Sequence, residues 1–244
     1  MSYASLLETP LAHPETGLGG KLFYAGELDD AGRAFLVAAN IAGAATLAAT
    51  ADPAAQKLAI REGVADFLVT TLDEALRILK NQLRKRETVA VCVALPPSAV
   101  ESEMNERGVA PDLLRRKLRV PLLHQALLIQ ESEETVRDLS KIPALVTWRL
   151  DSALPKEMDQ LDESALYCLD ADAWAARRWL RLSPRYLGRL AQGLRLLDTN
   201  REFAARFIDR VRQSVERNEI TVTVEICSYF RGLRDEFRFA PTKP

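Results

Sequence analysis

The sequence predicts an α/β fold, with a mostly parallel sheet flanked by helices and a helical C-terminal part. The main observation is that short apolar runs alternate with helical patterns between residues 21 and 95, because strands and helices that alternate at this spacing form βαβ units. The chain of 244 residues, 48% of them hydrophobic, is also long and apolar enough to bury a core. Near the C-terminus, residues 220–226 alternate apolar and polar side chains, which predicts one returning, half-buried strand.

The elements predicted in the alternating region have recognisable starts and stops. Asp52 precedes Pro53, which is typical of a helix start, and Thr71 with Glu74 fits a capping box. The predicted strands are 21–25, 44–50, 66–70 and 89–95. The predicted helices are 29–43, 52–63, 71–87 and 98–107.

Beyond Pro111 the patterns are less regular. Residues 122–130 fit either a strand or a buried helix, because their length does not decide between the two. Ser183 and Pro184 fit a helix N-cap followed by a proline at the first helical position. The other predictions are a helix at 131–141, strands at 144–150 and 165–169, helices almost throughout 171–217 with breaks near 183–184 and 198–200, a strand at 220–227 and a loose tail at 238–244. The predicted domains are an N-terminal arm at 1–19, an α/β domain at 20–170 and a C-terminal region at 171–244.

Composition excludes several classes of function. The net charge of −1 provides no overall attraction to nucleic acid or to an anionic membrane surface. No apolar run approaches the roughly 18 residues of a membrane span, and no basic segment followed by a long apolar stretch marks a secretion signal. The three cysteines, Cys92, Cys168 and Cys227, are far apart, which favours buried free thiols in a reducing cytoplasm. His13 and His124 are the only histidines and lie in unrelated contexts, so no metal site is expected.

The segment 175–217 contains eleven arginines and no lysine. This composition is compatible with binding an anionic partner or with solvated helix faces. The arginines lie between apolar stripes and no aromatic platform accompanies them, so nucleic acid is not the expected partner. The stripes are wide enough to pack on a second chain, which predicts a homodimer or other homo-oligomer. They consist of Leu187, Leu190, Leu194, Leu197, Phe203, Phe207 and Val211.

Four pieces of the N-terminal half, in the same order and spacing, resemble the dinucleotide-binding domain of urocanase (urocanate hydratase). They are Gly20-Lys21-Leu22 with Ala25-Gly26, the segment 46–53, the segment 72–76 and the segment 107–112. The resemblance covers about residues 20–114 and implies a Rossmann-like domain with NAD as its cofactor. In such domains a glycine-rich turn after the first strand holds the pyrophosphate, because backbone N–H groups approach phosphate closely only where side chains are absent.

This turn departs from the pattern that the resemblance implies. It reads Gly26-Glu27-Leu28-Asp29-Asp30-Ala31-Gly32, so three carboxylates occupy the place expected for phosphates. Dinucleotide-binding folds also place an acid at the end of the second strand, where this chain has Thr50. The candidate residues for a ligand cleft are therefore Gly26, Glu27, Asp29 and Thr50, and the NAD-binding loop is interpreted as degenerate. The acids also fit a second interpretation, in which they only balance the dipole at a helix start.

The sequence thus supports three hypotheses. The preferred one is a non-catalytic relative of the urocanase NAD-binding domain that acts as a small-ligand or partner-binding module with weak or no affinity for NAD. The second is a urocanate hydratase-like lyase that needs another chain for catalysis, because no catalytic residue of urocanase can be carried over to this sequence. The third is an oligomeric scaffold with an arginine-rich docking surface.

Overall fold

The computed structural model describes residues 2–115, 143–151, 155–188, 193–230 and 233–241. The chain divides into two compact units, Met1–Pro121 and Leu122–Pro244. The division near residue 121 lies well before residue 170, where the sequence suggested that the α/β domain ends. Each unit has its own sheet and its own buried core.

The first unit alternates strands and helices as the sequence predicts. Its strands are β1 (Leu22–Glu27), β2 (Ala45–Ala49), β3 (Phe67–Val69), β4 (Ala90–Val93) and β5 (Leu113–Leu114). Its helices are α1 (Ser2–Leu7), α2 (Asp30–Ala42), α3 (Pro53–Arg61), α4 (Leu72–Lys85) and α5 (Pro97–Glu106). The strands form one parallel sheet in the order β3-β4-β2-β1-β5, so the α/β fold with a parallel sheet is confirmed.

Helix–sheet packing in this unit follows the sequence pattern. Every residue of β2 and β4 is buried, as expected for central strands of a parallel sheet covered on both faces. Helix α4 buries Leu72, Ala75 and Leu79 against the sheet, and Thr71 Oγ1 accepts the Glu74 N–H at 3.3 Å as the predicted cap. The carboxyl ends of the parallel strands all lie at one edge of the sheet, which positions the turns after β1 and β2 side by side.

The second unit is built on an antiparallel sheet. Its strands are β6 (Pro143–Leu150), β7 (Leu194–Asn200), β8 (Val224–Phe230) and β9 (Leu233–Phe239), in the order β7-β6-β8-β9. Its helices are α6 (Pro155–Cys168), α7 (Trp174–Leu187) and α8 (Arg201–Glu216). Alternate residues of β6 face a core in which the Trp148 and Phe207 rings lie 4.8 Å apart, and α8 contributes Phe203 and Phe207 to it.

Several predictions for this unit are wrong. Residues 165–169, predicted as a strand, lie mainly in α6, and residues 194–197, predicted as helical, lie in β7. Pro184 does not start a helix but lies inside α7, close to the C-terminal end of that helix. The predicted strand at 220–227 begins only at Val224, and Arg238, assigned to a loose tail, lies in β9.

Among the described residues, which do not include Leu190, the apolar stripes are confirmed in α8. Phe203, Phe207 and Val211 are buried there. Leu194 is 44% exposed and Leu197 is buried, because in a strand these two residues point to opposite faces of the sheet. The predictions for residues 122–130 and 131–141, including His124, lie outside the described residues. Of the helices in the described part of the chain, none is long and apolar enough to cross a membrane.

Candidate functional site

The turn between β1 and α2 is closed on itself by hydrogen bonds. Asp29 is the N-cap of α2, and its Oδ1 accepts the N–H of Gly32 at 2.6 Å. Gly32 also packs so closely that a Cβ atom there would lie 2.1 Å from the carbonyl oxygen of Glu27. Gly26 has a φ of +73°, the left-handed conformation that glycine adopts most easily. The turn therefore excludes a side chain at Gly32 and favours glycine at Gly26.

A distant arginine completes this turn. Arg115 donates to Asp29 in a bidentate ion pair, with Nη1 2.8 Å from Oδ1 and Nη2 3.1 Å from Oδ2. Arg115 Nη1 also donates to the carbonyl oxygen of Glu27 at 3.3 Å. Sequence reasoning missed Arg115, because it lies 86 residues from Asp29 and no local pattern connects the two.

The electrostatics of the turn favour an ionised Asp29. The hydrogen bond from Arg115 holds the pKa of the Asp29 carboxyl below its ordinary value of 3.8; partial burial opposes the shift, and the Gly32 N–H and the charges of Arg115 and Arg33 add to it. Asp30 pairs with Arg33 at 2.6 Å, and the Glu27 side chain is exposed. Of the three carboxylates, Asp29 thus accepts a hydrogen bond from a backbone N–H at the start of α2. Glu27 and Asp30 lie at the surface.

Thr50 is placed differently from the other candidate residues. It is only 1% exposed, and its hydroxyl accepts the Asp52 N–H at 3.3 Å. Its carbonyl oxygen accepts from the Gln56 side chain at 2.9 Å. Asp52 itself caps α3 by accepting the Ala54 N–H at 2.9 Å, which confirms the predicted helix start. Thr50 therefore holds the turn after β2 together and presents no hydroxyl at an open surface.

Two cavities open at the carboxyl edge of the parallel sheet. The larger, about 870 Å³, lies between the start of α2 and α3 and is lined by Asp29, Asp30, Arg33, Asp52 and Lys57 among others. The smaller, about 400 Å³, lies beside the ends of β1 and β5 and is lined by residues that include Tyr24, Gly26, Glu101, Asn105 and Arg115. We call them the α3 cavity and the α5 cavity.

The Asp29–Arg115 ion pair has one member in each cavity. A molecule that extended across the end of β1 from the α3 cavity to the α5 cavity would have to pass this pair. The arrangement therefore favours a ligand that occupies one cavity over an extended ligand that needs both.

The remaining candidate side chains are those of the three cysteines and of His13. Cys92 is buried in β4, and burial raises the pKa of its thiol to about 11, so it is protonated at neutral pH. Cys168 is also buried, whereas Cys227 is half-buried on β8. His13 is exposed, and its Nδ1 accepts the Glu15 N–H at 3.2 Å.

Many arginines of the segment 175–217 have partners within the second unit. Arg195 pairs with Asp162 at 2.9 Å and Arg206 with Asp170 at 2.7 Å. Arg177 donates to two backbone carbonyl oxygens. These contacts support the interpretation of the arginines as structural and solvated groups.

A comparison with protein families agrees with the resemblance found in the sequence. Residues 2–118 match the family model described as the urocanase Rossmann-like domain. The matched segment contains all five strands of the parallel sheet and the whole Asp29–Arg115 turn. The match covers slightly less than half of this chain, so the similarity to the urocanase Rossmann-like domain applies to residues 2–118.

Proposed function

We propose that the protein is a non-catalytic relative of the urocanase NAD-binding domain that acts as a small-ligand or partner-binding module. The observation that carries the proposal is the Asp29 carboxylate, which accepts the Gly32 N–H at the start of α2 and pairs with Arg115. In dinucleotide-binding domains this helix start binds the pyrophosphate. In this chain the Asp29 carboxylate lies at the helix start, where the pyrophosphate would bind.

The charge of Asp29 disfavours a second anion. Two negative charges about 4 Å apart repel each other by about 1 kcal/mol in bulk water and by about 4 kcal/mol at an effective dielectric constant of 20, which is typical near a protein surface. Asp30 and Asp52 line the same cavity, but Arg33, Lys57 and Arg61 line it too, so the repulsion is local to the helix start at Asp29. NAD binding therefore requires displacement of the Asp29–Arg115 pair and a cost in electrostatic free energy.

The α5 cavity is the better candidate for a small ligand. It combines the apolar Tyr24 and Met104 with the polar Glu101 and Asn105, and its volume of about 400 Å³ suits a compact molecule. A compact ligand in this cavity leaves the Asp29–Arg115 pair intact.

Calorimetric titration of the full chain with NAD tests the proposal. We expect no tight binding by the wild type and stronger binding by Asp29→Asn, because asparagine keeps the N-cap and removes the charge. Asp52→Asn is the matched control, since Asp52 also caps a helix and lines the same cavity but has no pairing with Arg115. Micromolar or tighter NAD binding by the wild type would contradict the proposal.

The family match also favours a second candidate, a urocanate hydratase-like lyase that works with another chain. Incubation of the protein with urocanate and NAD, followed by urocanate absorbance, separates the two candidates. The first predicts a constant signal, and a steady protein-dependent loss of absorbance would establish the second. A homodimer in the cytoplasm stays a prediction, which light scattering and fractionation of cells can test.

A further inference from the structure

We propose that the second unit contains a separate binding site for a zwitterionic small molecule, an α-amino acid with an apolar side chain. The site is a cavity of about 500 Å³ between α8 and the strands β8 and β9, and we call it the α8 cavity. Its volume lies within the range of roughly 300–1,000 Å³ that is typical of small-molecule sites. The inference is independent of the function proposed for the first unit.

A polar pair interrupts the helix-covered face of the sheet. In the register of β8 and β9, Ile226 lies opposite Phe237, and the next pair on the same face is Ser228 with Asp235. Ser228 is only 4% exposed and Asp235 is half-buried. Ile226 and Phe237 make the neighbouring pair on this face apolar, so the Ser228–Asp235 pair is a change to polar side chains. The Ser228–Asp235 pair therefore needs a reason other than packing.

Helix α8 leaves space above this polar pair. Ala204, Ala205 and Ile208 line the cavity from the helix side, and the two alanine side chains are too small to fill it. Phe237 supplies an apolar wall from the sheet side. An apolar side chain of a ligand can pack against Ile208 and Phe237 while its polar end faces Ser228 and Asp235.

Some charged groups that line the α8 cavity form no ion pair with another described residue. Among the described residues, the Asp235 carboxylate and the Arg201 guanidinium have no ion-pair partner, and the Ser228 hydroxyl has no hydrogen-bond partner. Arg201 instead lies over the Phe230 ring, with its Cζ 3.8 Å from the ring centroid. Arg212, which also lines the cavity, is paired with Asp209 at 2.9 Å.

These groups match the two charges of an amino acid. The Asp235 carboxylate and the Ser228 hydroxyl can accept hydrogen bonds from an ammonium group. Arg201 can donate to a carboxylate, and it is the first residue of α8, where the helix dipole also favours negative charge. A ligand with one charge of each sign pairs with both half-buried groups, Asp235 and Arg201, whereas a ligand with a single charge leaves one of them unpaired.

The test is calorimetric titration of the full chain with L-leucine, L-valine, L-methionine and L-phenylalanine. We expect at least one of them to bind, and the analogue of leucine without its carboxylate, 3-methylbutylamine, and the analogue without its ammonium group, 4-methylpentanoate, to bind at least about tenfold more weakly than leucine. Asp235→Asn and Arg201→Gln should each weaken binding of the best amino acid by about tenfold or more.

Glu236→Gln is the matched control, because Glu236 is adjacent to Asp235 in β9 but points to the opposite face and pairs with Arg234. It should leave the affinity unchanged. Ser228→Val provides a variant that does not depend on removing a charge: valine favours a strand and fills part of the cavity, so the melting temperature should hold or rise while binding is lost. The proposal is overturned if none of the four amino acids binds, if Glu236→Gln weakens binding as much as Asp235→Asn does, or if Ser228→Val binds like the wild type.

Discussion

Each unit of this protein contains an aspartate–arginine ion pair, and the two pairs behave in opposite ways. Asp29 and Arg115 in the first unit have side chains that are 51% and 28% exposed. Asp162 on α6 and Arg195 on β7 in the second unit have side chains that are 16% and 9% exposed. The pKa of Asp29 lies below its ordinary value, whereas the pKa of Asp162 is raised to about 6.

Both aspartates pair with an arginine, so the difference in burial decides whether the carboxyl pKa is raised or lowered. At the open turn the hydrogen bond from Arg115 outweighs a small desolvation cost. In the second unit, desolvation raises the pKa of the Asp162 carboxyl by more than the nearby Arg195 lowers it. Asp162 Oδ1 is also buried without a well-formed hydrogen bond among the described residues, although the Trp148 indole lowers the pKa slightly. The first pair shapes a surface turn, and the second lies next to a core.

Removal of one partner from the buried pair should have the largest effect. Asp162→Ala breaks the buried Asp162–Arg195 ion pair and should lower the free energy of unfolding by about 3–5 kcal/mol. Urea denaturation followed by tryptophan fluorescence measures the loss. The double variant Asp162→Leu with Arg195→Met should be less destabilised than Asp162→Ala, and an equal or greater loss would contradict the assignment of the cost to the broken ion pair.

The two carboxyl groups should also give the two units opposite pH dependence. A pKa of Asp162 raised from 3.8 to about 6 means that its contribution to stability is complete below pH 3.8 and is lost as the pH rises through about 6. Two pKa units correspond to roughly 3 kcal/mol. The Asp29 contribution runs the other way: it is present above the ordinary pKa and is lost as the pH falls through the lowered value. NMR titration of the side-chain carboxyl carbons should give a midpoint near 6 for Asp162 and one below 3.8 for Asp29.

Substitution of the glycines of the first turn tests whether its shape depends on close packing. Gly32→Ala should cost about 1–3 kcal/mol, because the new Cβ meets the Glu27 carbonyl oxygen and the backbone must move. Gly26→Ala meets no atom within 4 Å and should cost only about 1 kcal/mol, through its positive φ. Thermal unfolding of both variants gives the order, and a larger loss for Gly26→Ala would be evidence against the close approach at Gly32.

The smallest effect should come from the exposed pair itself. Asp29→Ala removes the N-cap and should cost about 0.5–2 kcal/mol, whereas Asp29→Asn keeps the cap and should cost less. Hydrogen exchange at the Gly32 amide reports the local change directly. If both variants exchange at the wild-type rate, the cap does not protect this amide in solution.

Most of the first unit could be predicted from sequence, because its signals are local, although α1 within the predicted N-terminal arm and the two-residue β5 were missed. The cap at Thr71, the Asp52–Pro53 start and the glycine after α2 each act within a few residues of where they stand in the chain. The second unit depends on partners that are distant in sequence. Arg195 lies on the same covered face of β7 as Leu197, and its charge is accommodated there by Asp162, 33 residues earlier. Leu194 and Leu197 have a helical spacing that an edge strand also permits, so the pattern alone indicated the wrong element.

The candidate site was predicted only in part for the same reason. The turn residues Gly26, Glu27 and Asp29 stand together in the sequence, and their position after the first strand indicated a shared edge of the sheet. Arg115 could not be associated with them, because no sequence pattern around Arg115 indicates that it pairs with Asp29. Thr50 was placed correctly at the end of β2, but its burial depends on hydrogen bonds to Asp52 and Gln56 that the apolar pattern does not encode.

The position of β1 inside the sheet has a consequence for how the protein is made. Its outer neighbour, β5, is formed by Leu113 and Leu114, and the Leu22 N–H donates to Asp112 Oδ2 at 2.8 Å. At a synthesis rate of about 5–20 residues per second, the first strand waits roughly 5–20 seconds for the segment that covers its open side. During that interval β1 is an edge strand that can pair with other chains, so a fragment truncated before residue 112 should aggregate on the ribosome or soon after release.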